Sequence, residues 1–222
     1  MKAGKSTAVE EQVLTVYPFF SVQDETFDNQ NDIVLLRLRS PDGINRLTRA
    51  CVSAMIEAIR RLAVEARPLV ICGNERFFSA GADLGEIAAL DGPTGYLFAR
   101  MGQELMQAIE EFPAPVCAAV GGYCMGGGLD LALACHRRVA APDAVFGHRG
   151  AALGLITGWG GTQRLPRLIG RARALQMLLT TEKITAKAAL QMGLIHAVAD
   201  DPLKEALRWV TTSRKAATSL RG

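Results

Sequence analysis

No stretch of this 222-residue sequence is apolar over the roughly 20 residues that a helix needs to cross a bilayer. The N-terminal stretch MKAGKSTAVEEQ has no apolar core, so no secretory signal is expected. Charge of one sign is equally scarce. A net charge of +3, with acidic and basic residues mixed along the chain, offers no basic stripe for a nucleic-acid backbone. Neither nucleic acid nor membrane is therefore an expected partner. The five cysteines, Cys51, Cys72, Cys117, Cys124 and Cys135, include no pair at CxxC spacing, and all have apolar neighbours. They read as reduced, buried thiols of a cytoplasmic protein. Cys135 and His136 are adjacent but lack partners at ligand spacing, so no metal site is expected. Internal repeats, low-complexity segments and obvious linkers are also lacking.

What is present suits one domain with a sizeable core. Hydrophobic residues at 49% and charged residues at 21% lie in the ordinary globular range, so disorder is not the default expectation. Residues 1–24 read as an extension carrying the short apolar patch VLTVYPFF. DIVLLRLRS (32–40) reads as a strand before the turn Pro41-Asp42-Gly43. Residues 47–66 have apolar residues at helical spacing, with Thr48 as the cap. RPLVICG (67–73) reads as a buried strand, and 74–87 as a loop leading into a helix. A second amphipathic helix is expected over 96–112, stopped by the Pro-Ala-Pro at 113–115. VCAAVGG (116–122) reads as a further strand, and residues 137–148 hold one or two more. Residues 162–180 and 185–194 read as helical, with Gly170 and Gly193 as stops. Strands alternating with helices predict an α/β fold with crossover connections.

One stretch stands out. CMGGGLDLALACH (124–136) runs three glycines into an apolar helix that holds a single carboxylate, Asp130. The glycines do not fit GxGxxG from any starting point, and no Gly-Lys-Ser/Thr follows them, which removes dinucleotide and phosphate loops. Two readings stay open. One is close packing of helix on strand. The other is an oxyanion site, because a helix N-terminus presents unpaired N–H groups and bare glycines let a carbonyl approach them. FFSAGADL (77–84) also places small residues between a strand and a helix. Two such loops can each lend an amide to one oxygen.

FFSAGADL, PVCAAVGGYCMGGGLDLALACH (115–136), FGHRGAALGLITGWGGTQRLPRLIG (146–170) and ITAKAALQMGLIHAV (184–198) together resemble the crotonase, or enoyl-CoA hydratase/isomerase, superfamily. The resemblance covers residues 25–200. It implies a spiral of ββα units with two roughly perpendicular sheets surrounded by helices. It also implies assembly as a homotrimer or hexamer, and an acyl-CoA substrate with no cofactor beyond the coenzyme A of that thioester. By the same resemblance, the amides of Ala82 and Gly127 form the oxyanion hole and Asp130 is the catalytic carboxylate. Backbone around Ser79, Ala80 and Asp83 would hold coenzyme A, and Gly126, His148 and Gly150 would border the substrate. Asp83 has an ordinary reading too, as the acidic residue at a helix start. INRLT (44–48) resembles the N-terminal substrate loop, and residues 201–222 a shortened C-terminal helical segment.

The departures are as specific. Hydratases of the family use two glutamates, one two positions after the glycine triplet and one in an FG-x-P-E segment. Here the first position is Asp130, one methylene shorter, and the second is Gly150. Dienoyl-CoA isomerases carry an aspartate at the first position, but they keep the second acid and add a third where this chain has Gly158. Naphthoate synthases have glycine at the second position. In some of them an anion such as bicarbonate takes its place, for which Arg149 is the candidate holder here. A one-carboxylate site suits double-bond isomerisation better than hydration, because water addition needs one group to deprotonate water and another to protonate carbon. The alternative expectation is a catalytically weak acyl-CoA-binding protein in which Asp130 caps its helix.

Overall fold

The computed structural model of the protein describes residues 13–27 and 30–219. Strands β1 (Val13–Val16), β2 (Phe20–Phe27) and β3 (Gln30–Leu38) form an antiparallel meander. The short β4 (Arg46–Leu47) leads into α1 (Arg49–Glu65), whose first turn is capped by the Thr48 side chain accepting from the Cys51 N–H. Then come β5 (Leu69–Cys72), β6 (Phe77–Ser79), β7 (Gly81–Ala82), α2 (Leu84–Ala88) and α3 (Gly92–Glu110). They are followed by β8 (Val116–Val120), β9 (Tyr123–Met125), α4 (Gly127–Ala134), β10 (Arg137–Ala140) and β11 (Val145–Gly147). A 3-10 turn at Gly150–Leu153 precedes α5 (Gly161–Ile169) and α6 (Arg171–Thr180). The chain closes with β12 (Ile184–Thr185), α7 (Ala186–Gln191), β13 (Ala197–Val198) and α8 (Pro202–Ser219).

The strands sort into a seven-stranded sheet in the order β1-β2-β3-β5-β8-β10-β13, a four-stranded sheet β12-β11-β9-β6, and the pair β4-β7. The repeating unit is a strand in the large sheet, a turn, a strand in the smaller sheet, and a helix. β5 passes to β6 in this way, β8 to β9, and β10 to β11. The second strand of each unit is where the sequence reading falls short, since it ends one strand at 122 without assigning β9 and treats β6 and β7 as loop. Gly122 makes the β8–β9 switch at φ +54, and a Cβ there would lie 2.1 Å from the Arg76 carbonyl oxygen. Strands of two or three residues carry too little periodicity to be legible.

The strands of the large sheet are apolar on both sides because both faces are covered. Val34, Leu36, Leu69, Ile71, Val116, Ala118 and Val120 face the main core with α1, α3 and α4. Their neighbours Ile33, Leu35, Val70, Cys72, Cys117 and Ala119 point the other way, against Ala206, Leu207 and Val210 of α8. Residues 201–222 were expected to form a shortened helical segment, and α8 occupies 202–219 of it. No described residue of α8 lines the cavity that holds the candidate site. The expected extension at 1–24 is corrected. Residues 1–12 lie outside the described residues, and residues 13–24 join the large sheet, so the boundary drawn at 24 falls inside β2. The polar half QDETF hides this strand, since its apolar buried residues Phe20 and Val22 alternate with the buried polar Ser21 and Gln23.

Two anchors fix α4. At its C-terminal end the buried Arg138 donates to the carbonyls of Ala132 (3.2 Å) and Cys135 (2.6 Å), and its Nε donates to Leu194 O (2.9 Å). A cation there also complements the helix dipole. At the other end the Trp159 ring, 3% exposed, packs tilted against Phe98 at 5.2 Å and donates to the Phe98 carbonyl. A Cβ on Gly102 of α3 would lie 2.1 Å from that ring, whereas one on Gly95, in the same helix, would touch nothing. Gly102→Ala should therefore destabilise the protein by about 1–3 kcal/mol through overpacking. Gly95→Ala should stabilise it by up to about 1 kcal/mol by restricting the unfolded chain. Urea unfolding of the two variants checks the opposite signs.

Candidate active site

Three glycines allow the β6–β7 loop to pack directly on the start of α4. A Cβ on Gly81 (φ +93) would lie 2.6 Å from Met125 O and 2.8 Å from the Gly127 nitrogen. One on Gly127 would lie 3.2 Å from the Ala82 nitrogen, and one on Gly128 2.6 Å from Ser79 O. Ala82 and Gly127 are thereby brought side by side, and both line a cavity of about 540 Å³. Gly126, the N-cap residue at φ +52, supplies no side-chain cap, so the first N–H groups of α4 keep their capacity for an outside acceptor.

Asp130 sits in the first turn of the same helix, 1% exposed, with its carboxyl group on the cavity wall. Burial pushes its pKa from the ordinary 3.8 up to about 7. The Thr157 hydroxyl, which donates to Oδ2, opposes this, followed by the Arg164 charge and the Gly161 amide. These are outweighed. Arg164 helps little because its guanidinium is already held by Glu110 at 2.6 Å. The second carboxylate oxygen, Oδ1, has no hydrogen-bond partner and faces His148 Nε2 at 3.4 Å. Burial brings His148 down to about 4. Near neutral pH the imidazole is therefore uncharged, and the contact is not an ion pair.

Of the residues singled out in the sequence, Ala80, Ala82, Gly126, Gly127, Asp130, His148 and Gly150 all line the cavity. Ser79 and Asp83 do not. The Ser79 hydroxyl donates to Asn45 O (2.7 Å) and accepts from the Gly81 N–H (3.1 Å), which holds the loop rather than a ligand. Asp83 caps α2 by accepting from the Glu86 N–H, its ordinary reading. The INRLT stretch supports the loop from behind, with Arg46–Leu47 paired to Gly81–Ala82 and the Asn45 amide bonded to Phe77 O. Thr157, Trp159 and Gly161 are site residues that the sequence reading missed. Thr157 lies in GLITG, a segment read there only for its missing acid. Among the described residues no cluster of His, Cys, Asp or Glu could hold a metal ion. All five cysteines are free and buried, and Cys51 is pushed up to about 12 by burial. The rest of the cavity is mainly apolar, lined by Leu84, Ile87, Leu90, Phe98, Leu153 and Ile156, with Arg149 and Lys183 also in its lining.

An apolar cavity with a buried carboxylate and glycine-rich walls, on a spiral of ββα units, defines the class, and the comparisons agree. The profile of the enoyl-CoA hydratase/isomerase family matches residues 28–220, and the chain belongs to that family. It is 42% identical over 172 residues to a probable enoyl-CoA hydratase of Bacillus subtilis (strain 168), covering 76% of this chain and 66% of that protein. The chain thus spans about two thirds of that relative's length. Among solved structures it resembles an enoyl-CoA hydratase from Bacillus anthracis, with a TM-score of 0.78 and 33% identity over 89% of this chain and 76% of the other. It also resembles DspI of Pseudomonas aeruginosa, with a TM-score of 0.79 and 32% identity over 98% and 84%. The fold is the crotonase fold.

A buried aspartate of this kind carries a stability cost whose sign is fixed. The unfolded chain releases the Asp130 proton near pH 3.8, while the folded protein keeps it to about pH 7. Its contribution is therefore most favourable below pH 3.8 and is lost as pH rises through 7. At pH 8 the penalty is on the order of 4 kcal/mol. Asp130→Asn, which can still accept from Thr157, should be a few kcal/mol more stable than the parent at pH 8. The difference should vanish at pH 4. Thermal unfolding of both proteins across that range checks it.

Proposed function

We propose that the cavity takes an acyl-CoA thioester and that the protein moves a proton on the carbons next to its carbonyl. The thioester oxygen, which becomes the enolate oxygen, lies on the Ala82 and Gly127 amides. Asp130 is the acid–base carboxylate. The observation that carries this reading is the position of Asp130. It is a buried carboxylate opening onto an apolar cavity, one helical turn from the Gly127 amide. The apolar wall suits an acyl chain, and Arg149 and Lys183 suit a ligand that carries phosphates.

The reaction this arrangement supports best is double-bond isomerisation. A 3-enoyl thioester gives up a proton from C2 to Asp130, the dienolate is held by the two amides, and the same proton returns at C4. One carboxylate suffices. The position at which hydratases carry their second glutamate is doubly unavailable here. It is Gly150, and a Cβ on it would lie 2.9 Å from the backbone oxygen of Leu155. Assembly as a trimer or hexamer belongs to the same reading, supported by the exposed apolar Leu153, Leu175 and Leu179.

The test is the rise in ultraviolet absorbance as 3-hexenoyl-CoA becomes the conjugated 2-enoyl thioester. The parent protein should turn over, and Asp130→Asn should lose at least about 100-fold in kcat. Because the carboxylate form is the base and its pKa is raised to about 7, kcat/KM should climb as pH passes from 6 to 8. Tight binding of the thioester with no turnover would favour the weakly catalytic acyl-CoA-binding alternative. Full turnover by Asp130→Asn would remove Asp130 from the mechanism.

A further inference from the structure

The geometry around Asp130 points beyond a one-base shuttle. His148 follows β11, is 3% exposed, and lines the cavity beside Asp130. A histidine kept for structural reasons is normally hydrogen-bonded, since an unpartnered buried polar atom costs about 1–3 kcal/mol. Yet His148 Nε2 has no hydrogen-bond partner, and neither has Asp130 Oδ1 opposite it. The two atoms face each other at 3.4 Å. Space for them is kept by Gly161 at the start of α5. A Cβ there would lie 2.3 Å from Asp130 Oδ1 and 2.9 Å from His148 Nε2. Two buried atoms without hydrogen-bond partners are thus held together beside a cavity, and a third element spares them a side chain.

We propose that His148 is the second acid–base group of the site, so that Asp130 and His148 together can add water across the double bond of a 2-enoyl thioester. This rests on the enolate site described above and adds a residue to it. The steps balance. His148 Nε2 takes one proton from water as the water oxygen bonds to C3. The C2–C3 π electrons move onto the thioester carbonyl, whose oxygen lies on the Ala82 and Gly127 amides. Protonated Asp130 then delivers its proton to C2 as the carbonyl re-forms. The imidazolium finally returns the water-derived proton to the Asp130 carboxylate 3.4 Å away, which resets the pair. Burial opposes a charged imidazole while Asp130 is neutral. Once Asp130 has given up its proton, its negative charge favours the imidazolium, so the two groups titrate as a unit.

The experiment compares two activities of the same preparations: isomerisation of 3-hexenoyl-CoA, and hydration of crotonyl-CoA in ¹⁸O-labelled water. The parent should show both, with label at C3 of the 3-hydroxyacyl product. Asp130→Asn should lose both. His148→Gln, which keeps a polar group of similar length without a titrating nitrogen, should lose hydration by about 100-fold more than isomerisation. A parent that isomerises but does not hydrate would overturn the proposal while leaving the isomerase reading standing. So would His148→Gln losing both activities equally, which would make His148 a positioning residue only. A parent that binds hexanoyl-CoA and catalyses neither reaction would overturn the proposed function itself. The ratio of activities within one preparation is insensitive to partial loss of folded protein, and the first arm needs no variant.

Discussion

The close approach of two backbones, the Gly81–Ala82 strand and the first turn of α4, is the constraint on which the site depends. It is possible because Gly81, Gly127 and Gly128 have no side chains. Any Cβ there would fall within 2.8 Å of atoms on the facing segment or on Trp159. The residues that build the site are therefore largely ones that contribute nothing but their amides. The rest of the fold holds those amides still. Arg138 fastens the far end of α4, Trp159 wedges its near end against α3, and the β4–β7 pair braces the loop from behind. In the proposed function, donors held in this way need no reorganisation when charge develops on a bound oxygen.

The same rigidity explains the electrostatics. A carboxylate in the first turn of an exposed helix is stabilised by the helix dipole. Asp130 occupies that position, yet its proton affinity is raised, because it is buried among apolar residues and the nearest guanidinium is committed to Glu110. Desolvation outweighs the dipole and the Thr157 hydroxyl together. The fold gives up stability to hold a buried carboxyl group whose proton affinity lies near neutrality, a trade that the proposed function would explain.

Much of this was legible in the sequence, for identifiable reasons. The long elements α1 and α3 and the buried strands β3, β5 and β8 carry enough periodicity or apolar length to be read directly. Glycine spacing excluded phosphate and dinucleotide loops and left an oxyanion site open beside plain packing; it was the family resemblance that singled out Gly127 and Asp130. The short strands β6, β7 and β9 were not legible, since two or three residues have no period. Nor was β2, whose second half is polar. At the site, Thr157 and Gly161 stayed hidden because they reach Asp130 from α5 and the loop before it, about thirty positions along the chain. His148 was noticed as a residue beside a missing acid. That its nitrogen meets Asp130 Oδ1 follows only from how β11 lies next to β9 and α4.

The central claim is that one spot on the cavity wall binds a thioester oxygen between two amides, with Asp130 beside the adjacent carbon. A crystal structure with hexanoyl-CoA, a saturated thioester that cannot react, tests it most directly. The account predicts the thioester oxygen at about 3 Å from both the Ala82 and Gly127 nitrogens, with the Asp130 carboxyl group next to C2. A thioester carbonyl bound elsewhere in the cavity, or C2 out of reach of Asp130, would contradict it.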